Sequence, residues 1–199
     1  MGEPAEQRPS PLDYVGPQSN PPRRHWLARI FFGVVVAFVI GSIMFPSIGR
    51  VREPAQRIKC ASNLRQIGQA ILLYANDHQG QYPDSFATIL LYEDISSAAF
   101  VCPDSNDLPA GGPTTQAVVA NFSSPGHCSY IYVGSNLNTA TVPSNAVVAY
   151  EPLTNHANSG MNVLFGDGHV EFIFANTPAA ASMASQLAAK KFPITMPVQ

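Results

Sequence analysis

The stretch His156–Phe174, HANSGMNVLFGDGHVEFIF, constrains the fold more than any other part of the chain. Two apolar runs flank Asp167-Gly168. A two-residue hairpin turn of type I′ needs positive φ at both central positions, which Asp and Gly tolerate. With that pair at the tip, Gly166 faces His169, Phe165 faces Val170, Leu164 faces Glu171 and Val163 faces Phe172. Met161, Val163, Phe165, Val170, Phe172 and Phe174 then share one apolar face. Asn162, Leu164, Gly166, His169, Glu171 and Ile173 share the other, which is mixed. A slip of one residue would exchange the faces, so the pattern specifies its register. The expectation is a hairpin that covers a core with one side.

Ile30–Ile48, IFFGVVVAFVIGSIMFPSI, holds 19 residues without a charge. That is close to the ~20 needed to cross a hydrocarbon core. Trp26 can anchor one interface and Arg29 can snorkel, so residues 26–48 read as a transmembrane helix. A cleaved signal peptide is the competing reading, with an apolar region of ~7–15 residues ending at a small-x-small site. Ser42 followed by Met44-Phe45-Pro46 is a weak site of that kind, which favours a retained span. Arg8, Arg23, Arg24 and Arg29 lie on its N-terminal side; Arg50, Arg52, Arg57, Lys59 and Arg65 lie on the other. The positive-inside count therefore leaves its orientation open. Residues 1–25 carry Pro4, Pro9, Pro11, Pro17, Pro21 and Pro22 and few large apolar side chains. They cannot bury enough surface to offset their ordering entropy and read as a disordered tail, either a solvated leader or a docking tail for a cytosolic partner. Charged residues make up 12% of the chain and the net charge is −2, which excludes a strongly basic nucleic-acid binder.

From Val51 to Asp77, the residues Val51, Ala55, Ile58, Ala61, Leu64, Ile67, Ile71 and Tyr74 recur at helical steps and form one stripe. Pro46 and Pro54 should kink or weaken this helix, and Gly80 is its expected C-cap. Asp84–Leu91 reads as a short helix and Val101–Pro113 as loop. Candidate strands are Ala117–Ala120, Ser129–Val133, Ala146–Tyr150 and the two hairpin arms. The resulting fold class is α+β: an N-terminal transmembrane helix continuing into a long helix packed on a four- to five-stranded antiparallel sheet. Residues 49–175 form that domain. Residues 176–199 are a C-terminal extension, Ala-rich to Lys191 and able to form a short helix, with Pro193 and Pro197 beyond.

Asn162-Val163-Leu164-Phe165 and Asp167-Gly168-His169-Val170 match a known C-terminal motif. Cys60–Pro83, CASNLRQIGQAILLYANDHQGQYP, matches the helix end that accompanies it. Val101-Cys102-Pro103 and Ser129–Gly134 lie between the two in the expected order. Over roughly residues 45–175 the chain resembles a bacterial secretion-type pseudopilin-like family with a C-terminal H-x9-DG, prepilin-type processing-associated motif. Here Asn162, Asp167, Gly168 and His169 are the motif residues. Ten residues separate His156 from Asp167, one more than the family pattern. The resemblance implies a pilin-like fold, an envelope location and no catalytic activity. It implies other pilin-like subunits or envelope assembly proteins as partners, beside membrane lipid. The family's peptidase site, Gly then Phe or Met then T-L-(I/V)-E, has no counterpart. Gly2-Glu3 and Gly33-Val34 lack the fifth-position Glu, and Phe38 stands there after Gly33. The N-terminus thus reads as a permanent single-pass anchor. The resemblance and the cysteines put the N-terminus in the cytoplasm and the domain outside it.

In an oxidising compartment Cys102–Cys128 is the natural disulfide, worth roughly 3–4 kcal/mol in the chain-entropy model. The alternative is three reduced, buried cysteines. His156, Asp167, His169 and Glu171 offer imidazole and carboxylate ligands for a divalent metal. The turn alone explains Asp167, and a mixed face explains His169 and Glu171. His156 then fixes the loop entering the hairpin by a hydrogen bond. No D-x-D-x-D cluster for calcium is present. No G-x-S-x-G or familiar Cys-His context supports an enzyme, and Gly111-Gly112-Pro113 lacks the Lys-Ser/Thr of a phosphate cradle. Tyr74, Tyr82, Tyr130, Tyr132 and Tyr150 read as core or interface residues. The sequence points to a membrane-anchored, pseudopilin-like structural subunit or accessory protein of an envelope secretion or surface assembly, with no cofactor. The alternative is a tethered extracytoplasmic binding module for a ligand or divalent metal.

Overall fold

The computed structural model describes residues 23–196, with the backbone alone over 23–24 and 43–52. The expected disordered tail lies outside the described residues up to residue 22. Two compact units divide at Ser47 and Ile48. One helix, α1 (Arg23–Asp77), contributes residues to both, and Pro46 and Pro54 lie within it.

In the first unit, His25–Ser42 is an 18-residue stretch of mean hydropathy 1.7 with none of it buried. That helix is long and apolar enough to cross a membrane. Phe31, Phe32 and Phe38 are all exposed on it.

In the second unit, α1 buries Cys60, Leu64, Ile67, Ile71 and Ala75, at steps of three or four residues. The expected stripe holds from Ala61 onward but not at Ala55 and Ile58, while the side chain of Val51 lies outside the described residues. Ala55 is exposed and Ile58 is 69% exposed, while Cys60 takes the buried position of that turn. At the C-terminal end the Gly80 N–H donates to Ala75 O at 2.7 Å with Gly80 at φ 83°, so Gly80 closes the helix as expected.

Short helix α2 (Phe86–Tyr92) falls where the sequence placed one. Ala117–Ala120 is not a strand; it lies within helix α3 (Thr115–Phe122). Four apolar or small residues fit either period, and the Thr114 hydroxyl decides by accepting the Ala117 N–H at 3.2 Å. Phe122 then packs edge-on against Phe100, ring centroids 5.0 Å apart.

The sheet has four strands: β1 (Ile131–Tyr132), β2 (Val147–Tyr150), β3 (Gly160–Phe165) and β4 (Val170–Phe174). They lie in chain order and every neighbouring pair is antiparallel. The hairpin forms, but its register differs from the expected one. Leu164 pairs with Val170, Val163 with Glu171, Asn162 with Phe172 and Met161 with Ile173. The Phe165 N–H donates to His169 O at 3.0 Å, and the Gly168 N–H to Phe165 O at 2.9 Å. The tip is therefore the three residues Gly166–Gly168. Gly168 alone of the Asp-Gly pair has positive φ, 86°. This is a β-turn followed by a left-handed glycine, the three-residue hairpin with a bulge.

The added tip residue moves β4 by one position and exchanges its faces. Leu164 and Val170 point into a core with α1, α2 and α3, whereas Met161, Val163, Phe165 and Ile173 point into a second core. Every residue of β3 is buried, so the one-sided hairpin of the sequence reading is replaced by a sheet covered on both faces. The second cover comes from the C-terminal segment. Helix α4 (Pro178–Ala188) is capped by Thr177 and contributes Ala180 and Met183; Ile194 and Met196 follow. The Val147 N–H donates to Ile194 O at 2.7 Å, and the Met196 N–H to Asn145 O at 3.0 Å. Gly68 lets α1 approach the sheet on the first face, since a Cβ there would meet Leu164 Cδ1 at 2.7 Å.

Candidate functional site

Where α1 meets the sheet and the loops, the second unit buries a polar cluster. Cys60 sits on the first buried turn of α1. Cys102 follows the 3₁₀ turn Ser97–Phe100, and its N–H donates to Ser129 Oγ at 3.0 Å. Glu151 directly follows β2, and its N–H extends the ladder to Asn162 O at 3.1 Å. His156 ends the 3₁₀ turn Leu153–His156, and left-handed Ala157 and Asn158 turn the chain toward β3. Cys60, Cys102, Glu151 and His156 are all fully buried.

Cys102 is disulfide-bonded, but to Cys60 and not to Cys128, with Cα atoms 5.2 Å apart. The expected partner, Cys128, shares the loop-rich region with Cys102, whereas the actual one lies on the helix. Helix α1 runs past residue 102, and Asn63 Nδ2 donates to Val101 O at 2.9 Å to fix the approach. Cys128 keeps its thiol, which donates to Tyr130 O at 3.3 Å; burial pushes its pKa up to about 11.

Glu151 Oε1 accepts from Asn162 N at 2.7 Å and Asn162 Nδ2 at 2.6 Å, and lies 3.0 Å from His156 Nε2. Asn162 Nδ2 also reaches Arg57 O at 3.2 Å, joining β3 to α1. Burial raises the Glu151 carboxyl above its ordinary range, against the lowering effect of Asn162 and His156. On the far side of the imidazole, His156 Nδ1 lies 3.3 Å from Asp104 Oδ2, though not aligned for a hydrogen bond. Neither Glu151 Oε2 nor His156 Nδ1 has a hydrogen-bond partner among the described residues. One ligand atom from each of Cys60, Cys102, Glu151 and His156 falls within 4.8 Å of the others.

The four metal candidates of the sequence reading are not brought together. His156 precedes β3 and is buried, while Asp167 and His169 sit at the hairpin tip beyond the strand's other end. In the loop entering the hairpin, His156 instead contacts Glu151, Nε2 to Oε1 at 3.0 Å. Asp167 Oδ1 accepts the His169 N–H at 3.1 Å and also contacts its ring. Partial burial pushes the Asp167 carboxyl up, but these bonds outweigh it and hold the group below the usual carboxylate range. His169 and Glu171 instead line an open groove of 470 Å³ with Asn145, Phe174 and Thr177.

Sequence reasoning missed Glu151 and the Cys60–Cys102 pair. The available signal was a lone acid ending an apolar run, VVAYE, together with cysteines in two of the matched motifs. Compared with models of protein families, with curated protein sequences and with solved structures, the chain matches none of them.

Proposed function

We propose that the chain is a membrane-anchored, pseudopilin-like structural subunit or accessory protein of a bacterial envelope assembly. The observation that carries this reading is the apolar, unburied helix stretch His25–Ser42, long enough to cross a membrane, in a chain whose second unit packs a helix on a four-stranded antiparallel sheet. An anchored domain of this kind can offer its own helix to a neighbouring one. Ile58 and Leu73, 69% and 54% exposed on α1, are apolar side chains available for such packing. The Cys60–Cys102 disulfide supports an extracytoplasmic domain, and hence a cytoplasmic N-terminus.

Photo-crosslinking residues at Ile58 and Leu73, introduced one at a time and activated in native membranes, test the reading. A discrete adduct with a second envelope protein or a second copy is expected. No adduct from either position would overturn it. The groove lined by His169 and Glu171 favours a second reading, a tethered binding module. Stoichiometric binding of a divalent ion by the purified chain, lost in His169→Ala, would establish that alternative.

A further inference from the structure

The buried cluster beneath α1 gathers four residues of metal-ligating type, two of them joined in a disulfide. We propose that the reduced protein holds one Zn²⁺ on Cys60, Cys102, Glu151 and His156, so that disulfide and metal are alternative states of one site.

The donor set is the first support. Two thiolates, an imidazole and a carboxylate make four protein ligands of the types zinc takes, and a site with no open position is a structural one. Zn–S bonds of about 2.3 Å at the tetrahedral angle place two sulfurs about 3.8 Å apart. Cysteines with Cα atoms 5.2 Å apart reach that separation by side-chain rotation once the S–S bond is broken. His156 Nε2 already lies 4.0 Å from Cys102 Sγ and 3.0 Å from Glu151 Oε1.

The unpartnered atoms are the second support. Glu151 Oε2 is buried and accepts no hydrogen bond from the described residues, while Oε1 is occupied by both Asn162 donors. Glu151 thus offers a carboxylate oxygen within 4.8 Å of the imidazole and both sulfurs, and its second oxygen is left without a donor. With Nε2 toward the cluster, Nδ1 lies 3.3 Å from the Asp104 carboxylate without yet hydrogen-bonding to it. A carboxylate behind a ligating histidine is the usual outer partner that fixes its tautomer and orientation.

The chemistry balances with a named reductant. A dithiol carrier gives two electrons to the S–S bond, closes to its own disulfide, and leaves Cys60 and Cys102 as thiols. Zn²⁺ then displaces the two thiol protons to solvent. Metal binding would restore the tie between α1 and residue 102 that reduction releases.

The test uses the full chain in detergent, reduced without oxygen by a trialkylphosphine. The phosphine breaks the S–S bond and becomes its oxide with oxygen from water. Mild denaturant opens the buried bond and is then removed. Co²⁺ serves as the optical probe. The expected result is one Co²⁺ per reduced chain, with tetrahedral visible bands and a near-ultraviolet sulfur-to-metal band, both bleached by Zn²⁺. The oxidised chain binds none. Cys128→Ser leaves the spectrum unchanged, whereas Glu151→Gln and His156→Ala each weaken binding at least about tenfold. Absence of the sulfur-to-metal band in the reduced wild type would overturn the proposal. So would wild-type affinity in Glu151→Gln, or loss of the band in Cys128→Ser. If His156→Ala fails to fold, as seen by circular dichroism, the wild-type spectrum and Glu151→Gln decide alone.

Discussion

Asn162 directs both its backbone and side-chain N–H groups at one oxygen of Glu151, at 2.7 and 2.6 Å. A hydrogen bond contributes about 0.5–1.5 kcal/mol, and a buried acceptor stripped of its donor costs about 1–3 kcal/mol. Asn162→Ala removes the side-chain donor and leaves the backbone one. Urea unfolding near neutral pH should show a loss of about 2–3 kcal/mol. A loss below about 0.5 kcal/mol would mean that Glu151 does not depend on this amide. The same carboxyl makes stability depend on pH. Burial raises it, so the folded chain holds this proton more tightly than the unfolded chain. Its contribution is complete below the ordinary value of 4.5 and is lost as pH rises through the folded value. Asp167 has the opposite sign: its lowered carboxyl stabilises above 3.8, and that is lost as pH falls. Glu151→Gln deletes the first effect alone. The variant should therefore gain stability relative to wild type as pH is raised from about 4 to about 8, in paired urea titrations. A difference constant over that range would refute the assignment.

At the scale of elements, the hairpin rests on one glycine. Gly168 stands at φ 86°, and a Cβ there would also meet Leu72 Cδ1 at 3.1 Å. A side chain in that conformation costs roughly 1–2 kcal/mol, so Gly168→Ala should lower stability by at least that amount in chemical unfolding. An unchanged unfolding midpoint would mean that the tip is not a left-handed bulge. The disulfide ties two distant elements, α1 and the loop at residue 102, across 42 residues. The chain-entropy model gives about 4 kcal/mol for a loop of that length. Cys60→Ser should cost about that much, Cys128→Ser far less, and mapping under non-reducing conditions should recover the Cys60–Cys102 crosslink. These elements differ in how far the sequence discloses them. Helix α1 and the hairpin arms are readable because long periodic runs override local noise. The register is not, because Asp-Gly suits both a two-residue turn and the end of a three-residue one. Only the loop length separates the two, and one residue changes every pairing. Helix α3 escaped because QAVVAN carries no decisive period. The second core escaped because its cover, an Ala-rich tail, shows no alternation in sequence. The site escaped for a similar reason, since Glu151 and Cys60 meet only once the sheet and α1 are packed.

For the whole molecule, the two units make opposite demands on solvent. The helix stretch His25–Ser42 is apolar and entirely unburied, so in water it would hold a continuous hydrocarbon surface exposed. Residues 48–196 contain both hydrophobic clusters, the disulfide and all four strands. A unit with its own cores can fold alone. Residues 48–199 produced without the first 47 should therefore be soluble without detergent. They should keep the Cys60–Cys102 crosslink and unfold in urea in one cooperative step, seen alike by fluorescence and circular dichroism. The full chain should remain with membranes through an alkaline carbonate wash and leave them only in detergent. The two halves of this prediction fail separately. A shorter chain that aggregates or unfolds without cooperativity would show that the cores depend on the first unit. A full chain released by carbonate would show that the apolar helix lies on a protein partner and does not span lipid. Membrane retention together with an independently folded domain is the combination that an anchored envelope subunit requires.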